Sequence, residues 1–180
     1  MMGPRLLASR RSHLQHHVIL SEPLNSTVFA KKPSTMNSVI ELPFNRFLGI
    51  EQATDPSQVL RLPSGAQYLN HLGTVHASAQ LALAEASSGE FLLRELGSSA
   101  KVVPVVRRLE SKFRKPANGA VTSSVSAPQG FEQLHADLAS KGRALITLAV
   151  ELHDESGAHT LSASVEWFIT RLPDASKDSA

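Results

Sequence analysis

The spacing of hydrophobic residues changes abruptly near residue 97. From about Val75 to Leu96, apolar residues and alanines occupy nearly every side of a helical period, which predicts a helix surrounded by protein. A polar turn precedes this segment, with Thr74 as the predicted N-cap, and Gly97 is predicted to end the helix. After residue 97 hydrophobic and polar residues alternate, which predicts strands.

Strands 101–114 and 119–127 are predicted on either side of a Lys-Pro-Ala-Asn turn, followed by a short amphipathic helix over 131–141 that ends at Gly142. Two long strands joined by a hairpin loop at 154–158 close the chain. Their inward residues are predicted to be Ala144, Ile146, Leu148, Val150 and Leu152, then Leu161, Ala163, Val165, Trp167 and Ile169. Their outward residues include Thr160, Ser162, Ser164 and Glu166.

The segment before the long helix predicts a short helix or turn over 39–48 and one or two short strands over 50–62. One long buried helix followed by antiparallel strands predicts an α+β fold in which the sheet curls around the helix.

Composition adds limits to this interpretation. The 180 residues are 42% hydrophobic and 19% charged, typical of a single soluble domain. The chain contains no Cys, which excludes disulfides and thiolate chemistry. No apolar run reaches the roughly 18 residues that a membrane span needs, so we expect a cytoplasmic protein with no membrane partner.

Charge divides the chain unevenly. Residues 1–35 carry five basic residues against Glu22, whereas the remainder has 13 basic and 15 acidic residues. The predicted organisation is therefore a disordered or spurious extension over 1–35, with a targeting role as the alternative, a folded domain over 36–172 and a polar tail over 173–180. Since the body is mildly acidic, we expect no nucleic-acid partner.

The turn before the long helix carries the most specific motif. Asn70 is followed by Gly73 and His76, and Glu85 lies nine residues after the histidine. This register resembles the hotdog-fold acyl-CoA thioesterases of the phenylacetate-type (PaaI-like) branch, including DUF4442-type proteins. The resemblance implies a hotdog fold, in which a curved antiparallel sheet wraps a long central helix, and a homodimer or a pair of such dimers.

The resemblance also implies the chemistry. Glu85 would activate water or attack the thioester as a nucleophile, and backbone amides near His76, Ala77 and Ser78 would bind the oxyanion. The family has Gly-Gly where this chain has Ala77 and Ser78. The two added Cβ atoms narrow the space through which the substrate can approach the backbone. Because nine residues place His76 and Glu85 on opposite sides of one helix, a site shared between two subunits is predicted.

Each of these residues also has a structural interpretation. Asn70 would orient water or the thioester carbonyl through its side-chain amide, or could instead stabilise its own turn. His76 could hold the helix start by a hydrogen bond, and Glu85 could pair with a strand Arg or Lys. Gly73 serves a backbone requirement in either case.

The basic run that includes Arg114 and Lys115 could bind the phosphates of coenzyme A, or could be a solvated strand edge. Coenzyme A would be part of the substrate, and no cofactor or metal is expected.

Two other functions stay open at this stage. A non-catalytic hotdog module that binds an acyl ligand is favoured by the loss of Gly-Gly. A hotdog hydratase or dehydratase would pair His71 with Glu85, but the Pro- and Gly-rich segment of that branch is missing.

Overall fold

The computed structural model describes residues 38–97 and 101–172. Three α-helices are present in this part of the chain: α1 (Pro43–Phe47), α2 (Ala77–Leu96) and α3 (Glu132–Lys141). The six strands are β1 (Glu51–Gln52), β2 (Leu60–Leu62), β3 (Val102–Phe113), β4 (Val121–Ser126), β5 (Arg143–Asp154) and β6 (His159–Arg171). Short 3-10 turns precede α1 at Val39–Glu41 and α2 at Ala66–Tyr68.

The strands form one curved antiparallel sheet in the order β1-β2-β4-β5-β6-β3. The long strands β5 and β6 pair along most of their length, and β6 also pairs with β3. This order leaves β3 at one edge of the sheet, with β6 as its single neighbour, and the short β1 at the other edge.

Helix α2 lies against the inner face of this sheet, where it contacts β2, β3, β4, β5 and β6. Every predicted inward residue of β5 and β6 is buried, including Trp167. A long helix wrapped by a curved antiparallel sheet is the hotdog arrangement, so the predicted α+β hotdog fold is confirmed. The indole Nε1 of Trp167 donates to the Ser88 hydroxyl at 3.0 Å, which ties β6 to the helix.

Two local predictions are wrong. The N-cap of α2 is His76 rather than Thr74, and the helix begins at Ala77, two residues later than expected. Thr160 was predicted to face outward, but it is fully buried and its hydroxyl donates to the Leu152 carbonyl. The cause is an irregularity in the pairing of β5 with β6 next to Leu152, which shifts the alternation that the sequence pattern assumes.

The predicted extension over 1–35 and the predicted tail over 173–180 lie outside the described residues. No helix in the described part of the chain is long and apolar enough to cross a membrane.

Candidate active site

The loop before α2 is held together by the side chain of Asn70. Its Oδ1 accepts from the amides of Leu72 (2.8 Å) and Thr74 (3.2 Å), and its Nδ2 donates to the Thr74 hydroxyl at 2.9 Å. Gly73 lies inside this loop at φ +74°, a left-handed conformation that favours glycine. The Asn70 side chain therefore stabilises its own turn in this structure.

His76 forms the start of the helix. Its Nδ1 accepts from the Ser78 amide at 3.1 Å, and its own amide donates to the Tyr68 carbonyl at 2.7 Å. Its carbonyl accepts from Ala79 and Gln80. His71, which the hydratase alternative requires, is exposed in the preceding loop.

These bonds occupy most of the donors that were predicted to bind an oxyanion. Within the described part of the chain, the Ala77 amide makes no hydrogen bond, whereas the amides of His76 and Ser78 are both engaged. Ala77 and Ser78 are exposed. The helix start thus offers a new acceptor one unoccupied N–H, at the positive end of the helix dipole.

The side of α2 that the sheet leaves open carries Glu85. Ser78 is exposed and Leu81, Ala82 and Glu85 are partly exposed, and these four residues recur at three- and four-residue intervals. We call them the open flank of α2. The remaining residues of the helix from Ala79 to Gly89 are buried. Glu85 is therefore the one carboxylate on an otherwise uncharged strip of helix surface.

The Glu85 carboxylate has no partner among the residues that the structure describes. It makes no hydrogen bond or ion pair within the described residues, so the predicted pairing with a strand Arg or Lys is not found there. Burial raises the pKa of the Glu85 carboxyl above its ordinary value of 4.5. A carboxylate that is desolvated and unpaired is a stronger base than an exposed one and is suited to accept a proton.

Glu90, one turn further along α2, is a contrasting case that the sequence analysis missed. It is 4% exposed, and its carboxylate accepts from Ser38 Oγ (2.8 Å), the Val39 amide (3.0 Å), Gln52 Nε2 (3.1 Å) and Arg94 Nε (3.3 Å). Burial alone raises the pKa of Glu90, but these hydrogen bonds and the charge of Arg94 outweigh it and hold the pKa below 4.5. Glu90 is a structural acid that fastens the chain before α1 to the helix.

A second buried polar residue, also missed, lies in the first turn of α2. Gln80 is 3% exposed and its Nε2 donates to the Val75 carbonyl at 3.4 Å. Its Oε1 is the buried side-chain atom in the described region that has no hydrogen-bond partner.

The basic residues separate into two groups. Arg107 and Arg108 pair with Glu166 and Glu110 along the sheet, and this arrangement fits the solvated-edge interpretation. Arg114 lies beyond the end of β3, where its Nε donates to the Ser162 hydroxyl at 3.1 Å, and Lys115 is exposed.

The chain after Lys115 reaches the candidate site. The Ala117 carbonyl accepts from the Val75 amide at 2.9 Å, immediately before the start of α2. The fold therefore brings Ala117, two residues after Lys115, alongside the loop that carries Asn70, Gly73 and His76.

Glu85 and the start of its own helix remain apart. Nine residues separate His76 from Glu85, which corresponds to about 13 Å along the axis and to opposite sides of the helix. One thioester carbonyl cannot contact both within a single chain. Across the described residues, no group of three or more His, Asp or Glu side chains is arranged to hold a metal ion.

The chain belongs to the DUF4442 family, a domain of unknown function, whose model matches residues 49–169. No curated protein matches the chain.

Solved structures with the same fold include thioesterases. A Pseudomonas aeruginosa protein of unknown function, described as a probable thioesterase, is 27% identical, with a TM-score of 0.63 over 74% of this chain and 91% of its own. A thioesterase from Haemophilus influenzae is 14% identical, with a TM-score of 0.59 over 77% of this chain and 90% of its own. A Bacillus halodurans protein crystallised with coenzyme A is 18% identical, with a TM-score of 0.56 over 70% of this chain and 74% of its own.

Proposed function

We propose that this protein is a thioester hydrolase that acts on acyl-coenzyme A, with Glu85 as the group that activates water. The observation that carries the proposal is the Glu85 carboxylate itself. It is partly buried on the open flank of α2, it has no partner among the described residues, and its pKa is raised. The thioesterases among the similar structures and the neighbour that holds coenzyme A support the reaction and the carrier.

The reaction needs a base, an oxyanion donor and an acid for the leaving group. Glu85 takes a proton from water as the oxygen attacks the thioester carbonyl. The Ala77 amide, with the helix dipole behind it, stabilises the charge that develops on the carbonyl oxygen. When the tetrahedral intermediate collapses, the proton held by Glu85 passes to the departing thiolate. A raised pKa favours this general-base route over direct nucleophilic attack, in which Glu85 would form an anhydride.

A complete site needs two subunits. The helix start of one chain would supply Ala77, with Asn70, Gly73 and His76 holding its loop, and the other chain would supply Glu85. Strand β3 supports this arrangement because its twelve residues form an edge with one neighbour, a surface that readily pairs with the same strand of a second copy. Arg114 and Lys115, which precede the Ala117 contact with Val75 along the chain, are proposed to meet the phosphates of coenzyme A.

The test is thiol release from coenzyme A esters of short, medium and long fatty acids and of phenylacetate, with wild type and Glu85→Gln compared side by side. We expect release by wild type and a loss of at least about a hundredfold in kcat for Glu85→Gln, since that change removes the base. Glu95→Gln is the matched control, because Glu95 is an exposed acid on the same helix. Equal turnover by Glu85→Gln and wild type would refute the role of Glu85.

One observation favours a second candidate, a non-catalytic module that binds an acyl ligand. Ser78 has a side chain where the PaaI-like thioesterases that the sequence resembles have glycine. The Ser78 amide is already bonded to the His76 ring, so one amide donor remains for an oxyanion. Wild type that binds an acyl-coenzyme A without releasing thiol from any ester would support this candidate.

A further inference from the structure

The open flank of α2 is closed one helical turn beyond Glu85. The next residue on this side of the helix is Gly89, which is buried, whereas Glu85 is partly exposed. A Cβ placed on Gly89 would lie 3.3 Å from Trp167 Cη2 and 3.5 Å from Val39 Cγ1. These two side chains therefore cover the helix at Gly89, and we call them the end wall of the flank.

Hydrogen bonds hold both parts of the end wall in place. The indole Nε1 of Trp167 donates to the Ser88 hydroxyl at 3.0 Å, which fixes the ring against α2. The Val39 amide donates to the Glu90 carboxylate at 3.0 Å, and the Val39 carbonyl accepts from Asn45 Nδ2 at 2.8 Å. Both wall residues are buried in the core. Because protein interiors are close-packed, a ligand cannot displace such side chains without strain.

The opposite end of the flank is open. His76, Ala77 and Ser78, at the start of α2, are exposed. From a thioester carbonyl beside Glu85, one direction along the helix therefore leads to solvent and the other leads to the end wall. The wall lies at Gly89, and the four-residue spacing from Glu85 corresponds to about 6 Å along the helix axis.

The two arms of an acyl-coenzyme A differ in what each direction can hold. The coenzyme A arm ends in a nucleotide with charged phosphates, which are costly to remove from water, so this arm needs the route to solvent. The acyl arm is apolar, and enclosing it is favourable because its surface leaves water. The end wall is formed by an indole ring and an isopropyl group, which suit contact with the end of an acyl chain.

We propose that the acyl group of the substrate lies along α2 between Glu85 and the end wall, and that the wall restricts the enzyme to short acyl chains. The proposal rests on the proposed thioester hydrolase function, in which Glu85 lies beside the thioester. Val39 and Trp167 then determine chain length without taking part in the reaction. A longer chain meets the wall before its carbonyl reaches Glu85, and such a displacement of the reacting atoms lowers the rate.

The first measurement is kcat/KM for butanoyl- and octanoyl-coenzyme A. We expect wild type to prefer the butanoyl ester at least about tenfold, because a single methylene changes the specificity of an apolar pocket by about 10–200-fold. Val39→Ala and Trp167→Phe remove wall atoms near Gly89, and each should raise the octanoyl-to-butanoyl ratio of kcat/KM about tenfold.

Val59→Ala is the matched control for Val39→Ala. Val59 is 6% exposed and Val39 is 5% exposed, so both changes remove the same atoms from nearly equal burial. The atoms nearest to a Cβ on Gly89, outside α2, belong to Trp167 and Val39. The octanoyl-to-butanoyl ratio of Val59→Ala should therefore equal that of wild type. Thermal unfolding followed by circular dichroism verifies that each variant is folded.

A binding measurement separates this proposal from the proposed activity. S-butyl- and S-octyl-coenzyme A are thioethers, which cannot be hydrolysed, and isothermal titration calorimetry gives their Kd values without turnover. We expect Val39→Ala to shift the ratio of the two Kd values about tenfold in favour of the octyl compound. If no ester releases thiol but this shift is found, the hydrolase proposal fails and the assignment of the acyl site stands.

Three results would overturn the assignment of the end wall. The first is a wild type that uses or binds the octyl chain as well as the butyl chain, or that binds neither thioether. The second is a folded Val39→Ala and a folded Trp167→Phe that keep the wild-type ratios. The third is a Val59→Ala variant that shifts the ratios as far as Val39→Ala does, because the effect would then come from a general loosening of the core.

Discussion

Replacing Glu90 by Gln tests whether this buried acid holds the N-terminal segment on α2. The two carboxylate oxygens accept four hydrogen bonds, two on each oxygen, from Ser38, Val39, Gln52 and Arg94. An amide of the same shape keeps one acceptor and places an NH₂ group against the other pair of donors. Unsatisfied buried donors cost about 1–3 kcal/mol, and disrupting a buried charged pair costs about 3–5 kcal/mol. Because Arg94 is half exposed, we expect a value near the lower end, about 3 kcal/mol.

Chemical unfolding followed by the fluorescence of Trp167, the single tryptophan, measures this loss directly. A change of about 3 kcal/mol lowers Tm by roughly 10 °C for a domain of this size. The pH dependence has a defined sign. Since the pKa of Glu90 is lowered on folding, its contribution is present above pH 4.5 and is lost as the pH falls below that value.

The difference between wild type and Glu90→Gln should therefore shrink in acid. Glu95→Gln, on the exposed side of the same helix, should change the unfolding free energy by less than about 0.5 kcal/mol. A loss below about 1 kcal/mol for Glu90→Gln at pH 7, or a loss that does not vary with pH, would refute the structural role of Glu90.

Three further variants probe the site and its support. Glu85→Gln should raise the unfolding free energy at pH 7, because the raised pKa of Glu85 means that its charged form opposes folding. This gain in stability should vanish below pH 4.5, and a variant less stable than wild type at pH 7 would contradict the prediction. Gly73→Ala should cost about 1 kcal/mol from the left-handed backbone alone, since an added Cβ has no atom within 4 Å; a larger loss in urea unfolding would indicate a contact that the loop geometry does not contain. Ser88→Ala leaves the Trp167 N–H buried without its acceptor, and should cost about 1–2 kcal/mol in the same assay, whereas an unchanged midpoint would mean that the bond contributes nothing.

Much of the fold could be predicted from local patterns. The apolar, alanine-rich run predicted α2 to within two residues, and Gly97 ends it as expected. Alternation predicted the inward faces of β5 and β6 because side chains on a strand point to opposite faces in turn. The prediction for Thr160 is wrong because the pairing of β5 with β6 is irregular, and a register shift is set by two strands together.

The sequence located the motif residues, but it did not predict which groups they contact. Asn70 could have oriented substrate or stabilised a turn, and the structure shows its amide bonded within the loop. Three backbone amides were predicted to bind an oxyanion. Within the described residues, those of His76 and Ser78 are already hydrogen-bonded, and the amide of Ala77 remains available. Such bonds depend on loop geometry that residue types alone do not specify.

Glu85 and Glu90 show most clearly what the sequence can predict and what depends on the tertiary structure. The sequence by itself determined that a long apolar helix carries acids, since hydrophobic periodicity is a local property of the chain. Only the tertiary structure decided that the Glu90 carboxylate is satisfied by hydrogen-bond donors, whereas the Glu85 carboxylate lies without a described partner on an uncharged flank. The physical reason is distance along the chain. The donors that satisfy Glu90 include Ser38 and Gln52, which are 52 and 38 residues away and meet it only after the fold has formed.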